Sequence, residues 1–249
     1  MLIFIVPLRS PKTCSNWADV SNLCNSTLRS LLRQTSPNFQ IILCCNELPL
    51  NFQPHAQIFP IVEDFLIPTT WLEGISDIHN KVKRSMIEAR QFGASFIMRV
   101  DADDLVSKHL VEYTDKHQNS DGWYLRWGYI YPIGEDYIYL RPKFTAISGS
   151  SNILKCEVIE FPESMGTPKQ DWLEPVWQHL NVNKLLIPYH KQLAPLPFPG
   201  VIFRTHADNM SGSNMGTGRF SNLKNIILKK VFRRKLSTKL LDEFTIELK

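Results

Sequence analysis

The sequence predicts an α/β protein with a mostly parallel central sheet, and three observations support this prediction. Wholly or mostly apolar runs typical of strands buried on both faces occur at 2–6, 39–45 and 95–100. Segments with apolar residues at helical spacing separate these runs. An acidic stretch, Asp101-Ala102-Asp103-Asp104, directly follows the third run. Because open α/β sheets bind ligands at the carboxyl ends of their strands, we expect a functional site there.

Each element of the first half has its own start or stop signal. Ser21 is predicted to cap the first helix, which Pro37 ends. A weaker strand at 58–62 precedes a second amphipathic helix, which Gly93 ends. Ser107 is expected to cap a short helix after the acidic stretch. Strand and helix therefore alternate through the first half, as in a parallel sheet.

The second half has a mixed, aromatic-rich pattern. The runs 122–131 and 136–140 predict a hairpin that turns at Ile133-Gly134. Short strands are expected at 184–187 and 201–203. Four aromatic residues share one face of the first hairpin strand: Trp123, Trp127, Tyr129 and Tyr131. This aromatic face either packs in the core or stacks on a sugar.

The positive charge is concentrated at the C-terminal end. The 249 residues have a net charge of +4. Residues 1–218 contain 19 basic and 21 acidic side chains, whereas residues 219–249 contain nine basic and three acidic ones. A nucleic-acid-binding protein with a basic face along its folded domain is therefore excluded.

This charge distribution predicts one domain at 1–210, with halves at 1–118 and 119–210, followed by a linker and a basic helical tail at 211–249. A helix over 219–239 would carry an imperfect apolar stripe. It would either contact an anionic membrane surface or pack on the domain with its basic face in solvent.

We expect a cytoplasmic protein, peripheral at the inner face of the membrane if the tail binds lipid. No apolar run reaches the roughly 18 residues that span a bilayer. The N-terminal run at 2–8 lacks the basic flank and cleavage site of a signal peptide. The five cysteines show no CxxC spacing, which indicates reduced thiols.

The acidic stretch has a direct chemical use. Asp101 and Asp103 are two residues apart, so they share a side of extended backbone. Clustered carboxylates repel one another, and a hard divalent ion relieves that repulsion while it keeps positions for phosphate oxygens. The alternative is that Asp103 or Asp104 only caps the next helix.

The opening of the chain and the acidic stretch resemble GT-A fold glycosyltransferases of the family 2 type, most closely a bacterial rhamnosyltransferase group. The resemblance lies in Thr27-Leu28-Arg29-Ser30-Leu31-Leu32-Arg33-Gln34-Thr35 before the second strand, and in Phe96-Ile97-Met98-Arg99-Val100-Asp101-Ala102-Asp103-Asp104. It covers about 1–210. It implies a Rossmann-like GT-A domain that uses Mn²⁺ or Mg²⁺ to move a sugar from a nucleotide-diphosphate donor. A glycan or lipid-linked acceptor would attack by direct, inverting displacement.

The resemblance also implies roles for individual residues. The metal ligands would be Asp101, Asp103 and His206, with Asp104 beside the metal or the donor sugar. The nucleotide contacts would be Pro7, Leu8, Arg9, Lys81 and Arg84, although Lys81 and Arg84 also suit a solvated helix face. The family usually has an Asp after the second strand, where this chain has Asn46-Glu47. Recognition of uracil or thymine is therefore open, and Asp64 is expected to share it.

The general base and the acceptor site are placed in the second half by the same resemblance. Asp171 is our choice of base, with Glu163 and Glu174 as substitutes. An acid in the first turn of a helix also stabilises the helix dipole without any catalytic role. The acceptor would contact Trp123, Trp127, Ser150 and Asn152.

Two other functional classes compete with a transferase. A non-catalytic glycan- or membrane-binding protein on an inactive scaffold would explain the replaced Asp at position 46. A phosphohydrolase would use the acidic stretch as nucleophile and acid, but such enzymes usually carry it on the first strand.

Overall fold

The computed structural model of the protein describes residues 1–168, 182–206 and 231–247. The strands are β1 (Leu2–Pro7), β2 (Phe39–Cys45), β3 (Ile58–Val62), β4 (Phe96–Arg99), β5 (Leu105–Val106), β6 (Gly122–Tyr124), β7 (Trp127–Pro132), β8 (Tyr137–Pro142), β9 (Asn152–Lys155), β10 (Ala194–Pro195), β11 (Val201–Thr205) and β12 (Arg233–Lys235). The α-helices are α1 (Trp17–Leu32), α2 (Trp71–Ala89), α3 (Leu110–Lys116), α4 (Val182–Leu186) and α5 (Thr238–Phe244).

The central sheet is mixed and mostly parallel, as predicted. Its seven strands lie in the order β10-β6-β9-β4-β1-β2-β3. The four neighbours β4, β1, β2 and β3 run parallel, and β9 joins β4 antiparallel. Strands covered on both faces are apolar at most positions, which explains the apolar runs in the sequence.

The two long helices cover opposite faces of this sheet. Buried residues of α1 pack with Leu2 and Phe4, whereas buried residues of α2 pack with Ile3 and Ile5. Because side chains alternate along a strand, β1 contributes to both clusters. The two faces of β1 are therefore both enclosed within the domain.

The start of α1 corrects one prediction. Asn16, not Ser21, is its N-cap, and its side chain accepts a hydrogen bond from the backbone N–H of Ala18 at 3.0 Å. Ser21 lies one turn inside the helix, where its buried hydroxyl accepts from the N–H of Leu50 at 3.0 Å. A serine that bonds a neighbouring loop cannot be distinguished from a cap by local sequence.

The second sheet contains the predicted hairpin from Trp127 onward, but the single strand predicted at 122–131 is wrong, because residues 122–124 form β6 in the central sheet. Its order is β12-β8-β7-β11-β5, and β7 pairs antiparallel with β8. Gly134 in the connecting turn has φ 95°, a conformation that favours glycine. The predicted strand at 201–203 is confirmed as part of β11.

The predicted strand at 184–187 is wrong, because Val182–Leu186 form helix α4 and Ile187–Tyr189 continue as a 3₁₀ turn. Val182 and Leu186, four residues apart, are both buried. A short apolar run fits a strand and a helix equally well until its packing partner is known.

The end of the chain is part of the domain, which corrects the expected helical tail. Residues 233–235 form strand β12, paired antiparallel with β8. Phe244 and Ile246 are buried with Leu105, Ile138 and Ile202. Exposed ion pairs join Arg29 to Glu247 and Arg33 to Asp242.

The predicted membrane contact at 219–239 is only partly inside the described residues, since 219–230 lie outside them. In the ranges that the structure covers, no helix is both long and apolar enough to cross a bilayer.

Phe244→Ala is expected to destabilise the protein by about 3–5 kcal/mol, because it would leave a cavity where a fully buried ring packs against Tyr129. Urea unfolding followed by circular dichroism would measure the change. Val231→Ala, at a half-exposed position of the same terminal segment, is the control and should stay within about 0.5 kcal/mol. Equal effects of the two changes would contradict the docking of α5 on the core.

Candidate functional site

The acidic turn, residues 101–104, lies at the carboxyl end of β4. The backbone N–H of Val100 still donates to Ile5 in β1, and the N–H of Asp104 closes the turn onto the carbonyl of Asp101 at 3.0 Å. The side chains of Asp101 and Asp103 are each 27% exposed. The turn therefore presents two carboxylates at the end of a parallel strand, as predicted.

Neither Asp103 nor Asp104 caps the next helix, so the capping alternative is wrong. The N-cap of α3 is His109, whose own side chain makes no capping hydrogen bond. Ser107, the predicted cap, lies two residues earlier, where its hydroxyl accepts from the N–H of His109 at 3.3 Å and donates to Glu243 at 2.9 Å.

Asp101 is held by a cation from its own strand. Arg99 donates from Nε and Nη2 to Asp101 Oδ1, at 3.1 and 2.6 Å. Gly149 approaches this pair so closely that an added Cβ would lie 2.1 Å from Arg99 Nη2. A side chain at position 149 would therefore displace the guanidinium and release Asp101.

Asp104 lies below the turn and is fully buried. Its Oδ2 accepts from the hydroxyls of Ser148 and Ser150, both at 2.7 Å. Burial raises the pKa of this carboxyl well above its usual range, and the charges of Asp103 and Asp101 raise it further. Asp104 thus supports the turn from inside, and the expectation that it touches the donor sugar is corrected.

Ser150 links Asp104 to the backbone of the turn. Its hydroxyl accepts from the N–H of Asp101 at 2.8 Å and donates to Asp104. The side chain is fully buried, so the predicted acceptor contact is corrected to a structural role. Asn152, also predicted at the acceptor site, is 8% exposed and begins β9.

Strand β11 brings two further side chains to the acidic turn. His206, just after β11, has Nε2 at 2.8 Å from Asp103 Oδ2. Arg204 is buried and donates to the carbonyl of Asp103, to the carbonyl of Leu23 at 2.8 Å and to Thr27 Oγ1 at 3.0 Å. Burial lowers the pKa of Arg204 to about 10, while the nearby carboxylates oppose the change.

The structure brings together two of the three predicted metal ligands. Asp103 and His206 are in contact, whereas Asp101 is bonded to Arg99. In the described part of the chain, no group of three or more His, Cys, Asp or Glu side chains is arranged to hold a metal ion. Metal binding at this turn stays a prediction.

A second polar group lies beside the carboxyl ends of β1 and β2. Lys81 Nζ is fully buried, 2.7 Å from Asp77 Oδ2 and 5.4 Å from the ring centroid of Phe65. Burial raises the pKa of Asp77, while Lys81 and then Arg9 lower it. Asp77 was missed by sequence reasoning, although its i, i+4 spacing to Lys81 was a readable signal.

Asn46, where the family usually has Asp, is part of the same group. Its Nδ2 donates to the carbonyl of Phe65 at 2.7 Å. Its buried Oδ1 and the buried Oδ1 of Asp77 have no hydrogen-bond partner within the described residues. Buried acceptors in this state are costly unless another donor reaches them.

The other residues predicted to contact the nucleotide differ in their exposure and in their partners. Pro7 and Leu8 are buried, so their side chains have no exposed surface for a nucleotide, and Arg9 bonds to Thr13. Arg84 is paired with Glu63 at 2.6 Å and Glu88 at 2.8 Å. Asp64 is exposed after β3.

The aromatic face divides between core and surface. Trp123 is 1% exposed and packs on Phe96 and Tyr113, so the prediction that it stacks on a sugar is wrong. Trp127 is half-buried, with its ring centroid 6.3 Å from that of Phe232.

The candidate bases remain untested by the geometry. Asp171 and Glu174 lie outside the described residues, and Glu163 is exposed.

Comparisons with known proteins leave the family open. No protein-family model matches the chain, and no curated protein matches it. Among solved structures, S. aureus TarS is similar with a TM-score of 0.42 and 14% identity, over 83% of this chain. This chain spans 37% of the length of TarS. A likeness of this size carries no argument about the reaction.

Proposed function

We propose that the protein is a metal-dependent glycosyltransferase that moves a sugar from a nucleotide-diphosphate donor to a glycan or lipid-linked acceptor. The observation that carries the proposal is the contact between Asp103 and His206 at the carboxyl end of β4. Residues 103 positions apart in the chain meet where an open α/β sheet binds its ligand. A carboxylate and an imidazole together form a partial ligand set for a divalent ion.

The residues present fit Mn²⁺ or Mg²⁺ bound together with a diphosphate. Mg²⁺ is usually held by one or two carboxylates together with substrate phosphates and water. Asp103 and His206 would supply the protein ligands, and Asp101 would join them only by giving up its bond to Arg99. The ion, when bound, would neutralise the charge of the leaving nucleoside diphosphate.

Other side chains of the chain would hold the acidic turn in place and contact the nucleoside of the donor. Arg204 holds the backbone of the acidic turn against α1 through Leu23 and Thr27. The acceptor oxygens of Asn46 and Asp77 suit N–H and O–H donors of a base and a ribose. Asp171 would take the proton of the acceptor hydroxyl as its oxygen bonds to the anomeric carbon and the nucleoside diphosphate leaves from the opposite side, a direct displacement with inversion.

A non-catalytic glycan- or membrane-binding protein is the second candidate. It is favoured by the bond that already neutralises Asp101 and by the absence of a three-group metal cluster in the described ranges. A peripheral, cytoplasmic location and contact with an anionic membrane at 219–239 stay predictions under both functions.

Calorimetry with UDP, dTDP and GDP, each with and without Mn²⁺, would separate the two functions. The transferase is expected to bind at least one nucleotide only when Mn²⁺ is present. His206→Ala should weaken that binding by about tenfold or more, since it removes a ligand. His55→Ala, at an exposed site, is the matched control. Failure of Mn²⁺ to change nucleotide binding by the wild-type protein would favour the binding module.

A further inference from the structure

A basic cleft opens on the second sheet, on one side of α5. It has a volume of about 440 Å³, and its walls include Tyr129, Phe198, Arg234, Lys235, Lys239 and Glu243. Pockets of a few hundred Å³ are the size that holds small molecules. We propose that this basic cleft binds a phosphate or diphosphate ester.

The strand register explains why a cation and an aromatic ring meet there. Arg234 of β12 pairs with Ile138 of β8, and Tyr129 of β7 pairs with Leu140 of β8. Paired residues share a face of a sheet, as do residues two apart in a strand. Arg234 and Tyr129 therefore both lie on the face that α5 covers, where Ile138 is buried.

The cations of the basic cleft are not neutralised by ion pairs. Neither Lys235 nor Lys239 forms a salt bridge within residues 1–168, 182–206 and 231–247. Arg234 donates from Nη1 to the carbonyls of Val231 and Arg233, at 2.6 and 3.0 Å. Those two bonds fix the direction of the guanidinium and leave its Nε and Nη2 groups to donate elsewhere.

Glu243, the acidic residue that lines the basic cleft, already accepts a hydrogen bond from outside the cleft residues. Its Oε1 accepts the hydroxyl of Ser107 at 2.9 Å. Two cations, Arg234 and Lys239, therefore stand against this one carboxylate, because Lys235 alternates with Arg234 and points to the other face of β12. An excess of positive charge in a concave surface attracts an anion with several acceptor oxygens.

Phosphate esters suit this cleft better than a free inorganic ion. Lysine binds phosphate as a point charge, and arginine adds a planar fork of donors. The rings of Tyr129 and Phe198 supply an apolar wall against which a sugar ring or an alkyl chain attached to the phosphate would pack.

The basic cleft is distinct from the acidic turn. Phe198 and Pro199 precede the start of β11, whereas His206 follows its end. Five strand residues at about 3.3 Å each separate the two places by roughly 15 Å. The phosphate in the basic cleft is therefore not the diphosphate of the proposed donor, and the ester can belong to a soluble sugar or to a lipid headgroup.

Calorimetry of the full chain with inorganic pyrophosphate tests the site, with Arg234→Gln/Lys239→Gln as the variant. Saturable binding is expected to weaken by about tenfold or more, because two charge-assisted contacts are lost. Lys116→Gln/Lys184→Gln removes the same charge from exposed positions elsewhere and should bind like the wild type. Asp103→Ala should also retain pyrophosphate affinity at the basic cleft, which separates this proposal from the proposed function.

Vesicles of phosphatidylcholine with and without phosphatidic acid identify the source of the phosphate. Pyrophosphate binding together with cleft-dependent vesicle binding supports a lipid headgroup, and pyrophosphate binding alone supports a soluble ester. No saturable pyrophosphate binding, or equal weakening in both double variants, would overturn the proposal. Vesicle binding without pyrophosphate binding would also overturn it, since it would reduce the cleft to a charged surface.

Discussion

Asp103→Ala is expected to lower Mn²⁺-dependent donor turnover by roughly 10³-fold, because several kcal/mol of charge stabilisation at the leaving diphosphate would be lost. Asp103 is half of the contact with His206 that carries the proposed function. The nucleotide sugar for the assay would come from a thermal-shift screen with and without Mn²⁺. Turnover and release of nucleoside diphosphate would then be measured for the wild type and the variant.

Asp136→Ala is the matched control for this experiment. Its carboxylate is 77% exposed and lies 3.8 Å from Arg233, so turnover should stay close to that of the wild type. Full activity of Asp103→Ala in the presence of Mn²⁺ would contradict the metal-dependent mechanism. Equal losses in both variants would show that the assay reports folding and not the site.

Arg204→Met is expected to destabilise the protein by about 3–5 kcal/mol, as found when one partner of a buried charged network is removed. Arg204 is 5% exposed, and its guanidinium connects the acidic turn to α1. Methionine fills part of the space but donates no hydrogen bond. The carbonyl of Asp103 would lose its donor, and the carboxylates of Asp103 and Asp104 would lose a nearby cation.

The unfolding free energy in urea would measure this cost, with Arg33→Met as control. Arg33 forms an ion pair with Asp242 in which both side chains are more than half exposed, so its loss should cost less than about 1 kcal/mol. A similar small cost for Arg204→Met would contradict a structural role for the buried guanidinium. We also expect Mn²⁺-dependent nucleotide binding to weaken in Arg204→Met, because the acidic turn would lose its attachment to α1.

Local patterns were enough to predict the first half of the fold. The runs at 2–6 and 39–45 and the helices between the strands follow from burial on both faces of a parallel sheet. The position of Asp101 and Asp103 at a strand end followed from the same pattern. These features depend on residues that are close in the chain, which is why sequence alone could predict them.

Apart from His206, which the family resemblance placed with Asp103, partners distant in sequence were not predicted. Ser150 lies 49 residues from Asp101, and its role beneath the acidic turn depends on the loop before β9. Trp123 was placed at an acceptor site because strand alternation does not say which face of a sheet is covered. Asp77 has a local partner in Lys81, but its burial depends on how α2 packs against β1 and β2.

The C-terminal residues show most clearly which features the sequence could predict and which depended on the tertiary structure. Composition correctly indicated that the net positive charge belongs to residues 219–249. The structure decided that 233–235 form an edge strand and that Phe244 completes a core. Sequence alone determined the α/β class, the parallel strands and the acidic turn, because burial patterns and helical periodicity depend on residues that are close in the chain. Tertiary structure decided that Arg204 meets the acidic turn and that the basic cleft forms, because both depend on strand order between distant segments.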